Sequence, residues 1–421
     1  MLFENVAVLN EDFSVSYGMD VRTDGARIAS VTKGVGCSGK LLMPAFYNAH
    51  THLPMGLMRG YGENMQLKDW LEKKIFPFEE KLTGEDCYFA TLLAMAEGFM
   101  HGVVSSSDHY FFSEDIVRAV IDSGGKINAT RGMSFFDEIL EVAGFRPLQE
   151  AKDLFYNYHD TNGGRIRVDI GMHAEYTVTP GLVKAVADLV HETGAPLHVH
   201  VSETKSEHEE CKAKYSGKTP TRFFADEGGF DNGGIAAHCV WIDDEDADIM
   251  KEKGVTIATC PVSNMKLASG IANVPLMLDK GVNVALGTDG VASNNSLNFF
   301  EEMKLLALAA KVRSGDPTLI TPQQALYAAT RGGALAQGRA DCGYIKEGFR
   351  ADMLLLDLNS PSLNPVYDMA NALVYSASSR DILMTVCDGA IVYDKGEFPT
   401  VDLERAATGT TRARQRILGE L

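Results

Sequence analysis

Eight apolar runs, each ending in polar and chemically capable residues and each followed by a helix-like stretch, constrain this chain more than any other feature of its sequence. They are "KLLMPAFYNAHTH", "GVVSSSDHYFF", "KINATRGM", "IRVDIGMHAEY", "PLHVHVSE", "GGIAAHCVW", "GVTIATCPVSN" and "GVNVALGTDG", all between residues 40 and 290. Amphipathic segments such as "GEDCYFATLLAMAEGFMHG", "PGLVKAVADLVHETG" and "EDADIMKEKG" lie between them, several closed by a glycine that suits a helix C-cap. Strand and helix alternating eight times predict an α/β fold, a (β/α)8 TIM-type barrel. In such a barrel the βα loops converge at the C-terminal ends of the strands, and the active site assembles there. His50, His52, His173, His198, His200 and His238 all fall late in their runs, as does Asp289 in "ALGTDG".

The two chain ends read differently. "ENVAVLNEDFSVSYGMDVRTDGARIASV", "GFRADMLLLDL" and "LMTVCDGAIVYDKGE" are short alternating β patterns broken by turn signals at "CDGA" and "DKGE". They are expected to pair into one small β-sandwich domain, giving boundaries of 1–43 for its first part, 44–345 for the barrel and 346–421 for its second part. That last part ends in a helix, read as a surface helix, in "VDLERAATGTTRARQRILGEL".

A length of 421 residues accommodates one large and one lesser domain, and 45% hydrophobic with 23% charged residues is the profile of a globular chain. A formal net charge of -18 repels phosphate backbones and anionic headgroups, so nucleic acid and membranes are excluded as expected partners in favour of a small molecule. "MLFENVAVLNEDFSV" carries acids where a signal peptide has a basic region, and no apolar run approaches ~18 residues, so the expected location is the cytoplasm. Seven scattered cysteines without a CxxC pair read as reduced and mostly buried.

The chemistry begins with "NAHTH". In a strand, residues two apart share a face, so His50 and His52 project into one space. Taken alone, such a pair serves equally well as a metal clamp or as a hydrogen-bonded pair in a loop. His200 on the fifth run and Asp289 after the eighth complete a set of three imidazoles and one carboxylate, suited to zinc or iron with a place left for water. Glu203, three residues past His200, stands where a general acid/base reaches that water, and His238 stands where it can polarise the attacking oxygen.

"MPAFYNAHTHLPMGLMRG", "HVHVSET", "AAHCVW", "CPVSNMKLASGIANVPLML" and "LGTDGVASNNSLNFFEEM" together resemble the amidohydrolase superfamily, and within it the S-adenosylhomocysteine and 5'-methylthioadenosine deaminase group. The resemblance implies a (β/α)8 barrel with a flanking β sandwich and hydrolytic deamination of an adenosine-type nucleoside with one divalent metal, normally zinc. It implies that His50, His52, His200 and Asp289 bind the metal. Glu203 would carry a proton from water to N1 of the purine, His238 would hydrogen-bond the attacking hydroxide, and Asp289 would pass a proton to the leaving ammonia. It also implies a homo-oligomer.

For the substrate, "DWLEKKIFPFEEKLT" matches the segment whose glutamate holds the ribose hydroxyls, which points to Trp70 and Glu79. His173 matches a purine contact, Ser293 a serine near the imidazole edge of the purine, and Arg131 an arginine of the pocket. The chain departs from the family at "SFFDEILEVAGFRPLQEAKDL", where Arg146 stands for an arginine that receives an amino-acid carboxylate. Phe135, Phe136, Ile139 and Phe145 make that stretch apolar, favouring a thioether or unsubstituted 5' group over a zwitterion. The competing readings are hydrolysis of a free purine such as guanine or of an s-triazine, and a barrel that has lost its chemistry. A two-metal cyclic amidase fits less well, because the strand ends offer no bridging lysine.

Overall fold

The computed structural model describes residues 1–135 and 144–421. The chain opens with β1 (Leu2–Leu9), β2 (Val15–Asp24), β3 (Arg27–Lys33) and β4 (Lys40–Pro44). The barrel strands follow as β5 (Phe46–Thr51), β6 (Val103–Tyr110), β7 (Lys126–Arg131), β8 (Ile166–Gly171), β9 (Leu197–Val201), β10 (Gly234–His238), β11 (Val255–Thr259) and β12 (Val284–Leu286). β13 (Met353–Asp357), β14 (Ile382–Cys387) and β15 (Ala390–Asp394) complete the set.

Strands β5 to β12 hydrogen-bond in chain order as one parallel sheet, so the barrel predicted from the alternation is present. The seam between β12 and β5 is closed by single bonds instead of a ladder. The Asp289 N–H donates to the His50 carbonyl (3.0 Å), and the Asn48 side chain bonds both the backbone and the hydroxyl of Thr288 (3.1 and 2.7 Å). The helix Pro180–Thr193 illustrates the outer layer: Leu182, Val183, Val186, Leu189 and Val190 line one face and are buried, while Thr179 caps its start and Gly194 ends it at φ 70°. Each such apolar side chain contributes about 1.5–3 kcal/mol by leaving water.

The run "KLLMPAFYNAHTH", read as one strand, is two. Pro44 ends β4, the Ala45 N–H turns to the Asp352 carbonyl (3.1 Å), and only Phe46–Thr51 belongs to the barrel. β4 instead joins a seven-stranded mixed sheet of order β15-β14-β13-β4-β1-β2-β3, built from both chain ends. β1 and β4 run parallel there, and β4 pairs antiparallel with β13. The sheet curls back on itself, with Ile28 N–H bonded to the Phe349 carbonyl and Ala351 N–H to the Ala26 carbonyl (both 2.9 Å), around Val6, Val21, Ile28, Leu42, Met353 and Val386. The last helix, Leu403–Glu420, packs on Gly84–Met100: Gly409 sits where a Cβ would lie 2.3 Å from the Phe89 ring, and Arg416 pairs with Asp86 (2.5 Å). All seven cysteines are free, and all but Cys37 are buried.

Candidate active site

His50 lies near the end of β5 and His52 one residue past it, and the alternation of the strand sends both rings inward. They meet His200 from β9 and Asp289, three residues beyond β12, where a left-handed backbone (φ 59°) turns the carboxylate toward the barrel axis. His52 Nε2 stands 3.2 Å and His50 Nε2 3.6 Å from Asp289 Oδ1, and His200 Nε2 is 3.4 Å from His52 Nε2. Asp289 is itself fixed: Oδ2 accepts from the Ser263 and Ser293 hydroxyls (2.6 and 2.8 Å) and Oδ1 from the Gly290 N–H (2.8 Å).

The opposite edges of the rings decide their tautomers. His52 Nδ1 donates to the His109 carbonyl (2.5 Å) and His200 Nδ1 to the His173 carbonyl (2.7 Å), since a carbonyl can only accept. With both rings neutral, His52 and His200 present their Nε2 lone pairs to one space beside a carboxylate, and the Asp289 charge, which raises His52 against the effect of burial, shows how strongly that space favours a positive group. His50 bonds His198 through Nδ1 (2.9 Å), and its Nε2 is buried without a partner. Lone pairs converging on an unsatisfied nitrogen in a buried space fit a cation, and three imidazole nitrogens with one carboxylate oxygen suit a borderline divalent metal.

Electrostatics follow the same geometry. Burial drives His50 down to about 3 and pushes His200 well below the ordinary histidine range, so both rings stay neutral ligands. Burial alone would raise Asp289, but the His50 and His52 rings outweigh it and hold the carboxylate well below its usual range.

Glu203, just past β9, is buried; its Oε1 accepts from the Ser269 hydroxyl (3.2 Å) and its Oε2 is 4.0 Å from His238 Nε2. Burial raises Glu203 above the usual glutamate range, keeping a proton within its reach. His238 ends β10 with φ 69° and bonds Asn264 Oδ1 through Nδ1 (2.8 Å). Burial pulls His238 down, but the charges of Glu203 and Asp289 outweigh that and raise it.

Above these groups opens a cavity of about 710 Å³ empty volume, with His52, His200, Glu203, His238 and Asp289 at its floor. Met55, Leu67, Trp70, Leu71, Ile75, Phe76 and Phe111 form an apolar wall, while Glu79, His109 and His173 supply polar groups. Glu79 closes a helical segment that runs from Leu67 through a wide π turn at Leu71–Ile75. Burial pushes its carboxyl up to about 7, outweighing Tyr110 and His52, which pull it down. His173 bonds Thr177 Oγ1 through Nδ1 (3.1 Å) and presents its other edge to the cavity.

The structure therefore gathers His50, His52, His200, Asp289, Glu203, His238, Trp70, Glu79 and His173 around one space. Three expected substrate contacts lie elsewhere. Ser293 sits behind Asp289 and spends its hydroxyl on it. Arg131 and Arg146 both turn to Glu150, at 2.8 and 2.6 Å; Arg131 also stacks over Phe111 and Arg146 is exposed. Neither arginine lines the cavity, because Glu150 on the helix Arg146–Tyr158 engages both. Phe135 packs edge-on against Phe145 at 4.8 Å, and Phe136 and Ile139 fall outside the described residues.

Sequence reasoning missed four supporting groups: His109, Asn264, Ser263 and Ser269. A signal existed for three of them, since "SSSDHY" and "CPVSN" also place polar residues at strand ends.

The sequence profile of the amidohydrolase family matches residues 41–392 of the chain. The chain is 40% identical to a 5-methylthioadenosine/S-adenosylhomocysteine deaminase of Caldanaerobacter subterraneus, across 100% of this chain and 99% of the relative. It is 39% identical to a 5'-deoxyadenosine deaminase of Methanosarcina mazei, over 92% and 89% of the two chains. Among solved structures, a zinc-bound adenosine deaminase from Xanthomonas campestris superposes with a TM-score of 0.93 at 28% identity, covering 99% of this chain and 98% of that one.

Proposed function

The chain belongs to the amidohydrolase family, and we infer that within it the protein hydrolytically deaminates an adenosine-type nucleoside, releasing ammonia and leaving the inosine analogue. The observation that carries the reading is the pair of His52 and His200 lone pairs meeting at Asp289 with the Glu203 carboxyl and His238 beside them. Amidohydrolases are metal-dependent, and His50, His52, His200 and Asp289 are our assignment for the residues that hold the metal, with zinc as its identity and iron the alternative that the same donors accept. A divalent cation bound there supplies a Lewis acid that brings the ionisation of water toward neutral pH.

The residues of the chain do the rest. Glu203 takes the proton of the attacking water and hands it to N1 of the purine, which makes the adjacent ring carbon electrophilic. His238, tethered through Nδ1, holds the attacking oxygen at Nε2. Asp289 relays a proton to the departing ammonia, while the Ser263 and Ser293 hydroxyls keep its second oxygen in place. The apolar wall with Trp70 excludes water and packs the purine, His173 hydrogen-bonds it, and Glu79 grips the ribose hydroxyls from the far side. A free purine or a triazine offers no diol to Glu79.

At the 5' position we infer a neutral substituent, hydrogen, hydroxyl or methylthio, over an amino-acid zwitterion. In support, Arg131 and Arg146 are engaged by Glu150 and do not line the cavity. The homo-oligomer implied by the resemblance belongs to the same reading, and no helix among the described residues is long and apolar enough to cross a membrane.

Ammonia release from zinc-loaded protein tests this with adenosine, 5'-deoxyadenosine, 5'-methylthioadenosine, S-adenosylhomocysteine, guanine and an aminotriazine. The expected order puts the neutral adenosines first by about tenfold or more in kcat/KM over S-adenosylhomocysteine. Turnover of guanine or the triazine alone would overturn the nucleoside assignment.

A further inference from the structure

Directly behind Glu203 lies a second pair of acids that the reaction does not use. Glu207 is the third residue of the helix Lys205–Lys214, and Glu175 begins the turn Glu175–Thr177 after β8. Both are buried, at 6% and 2% exposure. Glu207 Oε2 receives the N–H groups of Glu203 (2.9 Å) and Thr204 (3.2 Å), so it fixes the backbone at the residue that carries the proton. Its Oε1 and both oxygens of Glu175 are buried without a donor from any other side chain.

The two carboxyl groups face each other within hydrogen-bonding reach. Two bare carboxylates cannot stay so in a buried space, whereas one proton between them turns a repulsion into a hydrogen bond. Its location follows from the partners. Glu207 accepts two N–H groups, from Glu203 and Thr204, which favours its ionised form more strongly than the single backbone N–H, its own, favours that of Glu175, so the proton belongs on Glu175.

We propose that Glu175 is a neutral carboxylic acid in the working enzyme, that its O–H donates to Glu207 Oε1, and that the pair is a positioning device for Glu203. The proposal rests on the reading of Glu203 as the proton carrier. The groups around the pair are Glu203 and His238 on the cavity side, Lys214 and Cys211 on the Glu207 helix, Tyr176 beside Glu175, and Cys239. Burial and then the Glu207 charge push Glu175 well above the ordinary range; burial and then Glu203 raise Glu207 to about 7. Glu175 thus keeps the pair at one negative charge, and a second one beside Glu203 would make that carboxyl a still weaker acid.

The test compares Glu175→Gln, whose amide N–H replaces the donated O–H without a titrating proton, with Glu175→Ala, which leaves Glu207 Oε1 bare. The expected result is that Glu175→Gln keeps kcat within about twofold of the parent, while Glu175→Ala loses about tenfold or more in kcat at similar KM. Difference infrared spectra of the parent against Glu175→Gln at about pH 8 should lose one protonated-carboxyl C=O band. If Glu175→Gln is as damaged as Glu175→Ala, or if no such band is lost, the proposal is overturned. Where Glu175→Ala does not fold, the infrared band and Glu175→Gln decide alone. Glu203→Gln, run in parallel, separates the two ideas: full activity there would sink the role of Glu203, while the band still reports whether the acids share a proton.

Discussion

Glu79 shows how one side chain in an apolar wall acquires a functional titration. Its carboxyl sits at about 7 because burial penalises the charge, and only the ionised form accepts from both ribose hydroxyls. Nucleoside binding should therefore weaken as pH falls through about 7, with 1/KM approaching a slope of about one log unit per pH unit, and Glu79→Gln should raise KM and remove that limb. An unchanged KM profile in the variant would exclude Glu79 from the diol. At this scale His50, His52, His200 and Asp289 were legible in the sequence because strand alternation and strand ends fix where a side chain points. Arg131 was not, since its commitment to Glu150 depends on a helix docking beside β7, whereas the Arg146–Glu150 pair is an i,i+4 contact within one helix that the spacing itself offers. Ser293 was legible as a site residue but not in its role: four residues after Asp289, it turns back onto the carboxylate instead of outward to a ligand.

Among the elements, the barrel seam is the narrowest tolerance. Gly287 follows β12, and a Cβ there would stand 2.8 Å from the His50 carbonyl oxygen and 2.9 Å from both the His50 Cβ and Cys260 Sγ. Gly287→Ala should cost about 1–3 kcal/mol and push β5 away from the eighth strand, lowering metal content at equal protein folding. Denaturant midpoints and metal analysis on the same sample check both halves. The eight barrel strands were readable because each is a short apolar run with turn signals on either side. The division of the first run was harder: β4 and β5 differ in destination but not in hydrophobicity, and only Pro44 marks the break.

Over the whole molecule, the barrel and the outer sheet are joined by a buried ion cluster. Lys126, at the start of β7, reaches Asp388 (2.8 Å) and Asp352, and the Tyr47 hydroxyl donates to Asp352 as well. Lys126→Met would leave the buried Asp352 without its cation, while Asp388 keeps Arg350 (3.2 Å), and should destabilise the fold by about 3–5 kcal/mol with little change in kcat of the folded fraction. Thermal melts against single-turnover rates separate those effects, and equal melting temperatures would refute the assignment. None of this was legible in sequence, because Lys126 and Asp352 are 226 residues apart and the order of the outer sheet pairs the first strands with the last.

That same sheet sets an order of events during synthesis. β1 to β4 leave the ribosome first, yet β4 must wait for β13, which is made only after the entire barrel has emerged. Throughout translation the nascent chain carries an open β edge at Leu41, Leu42 and Met43, beside a barrel whose first strand begins two residues after Pro44. The partner that protects this edge from foreign strands is the protein's own distant end, so a chain stalled short of β13 is the form most exposed to misassembly.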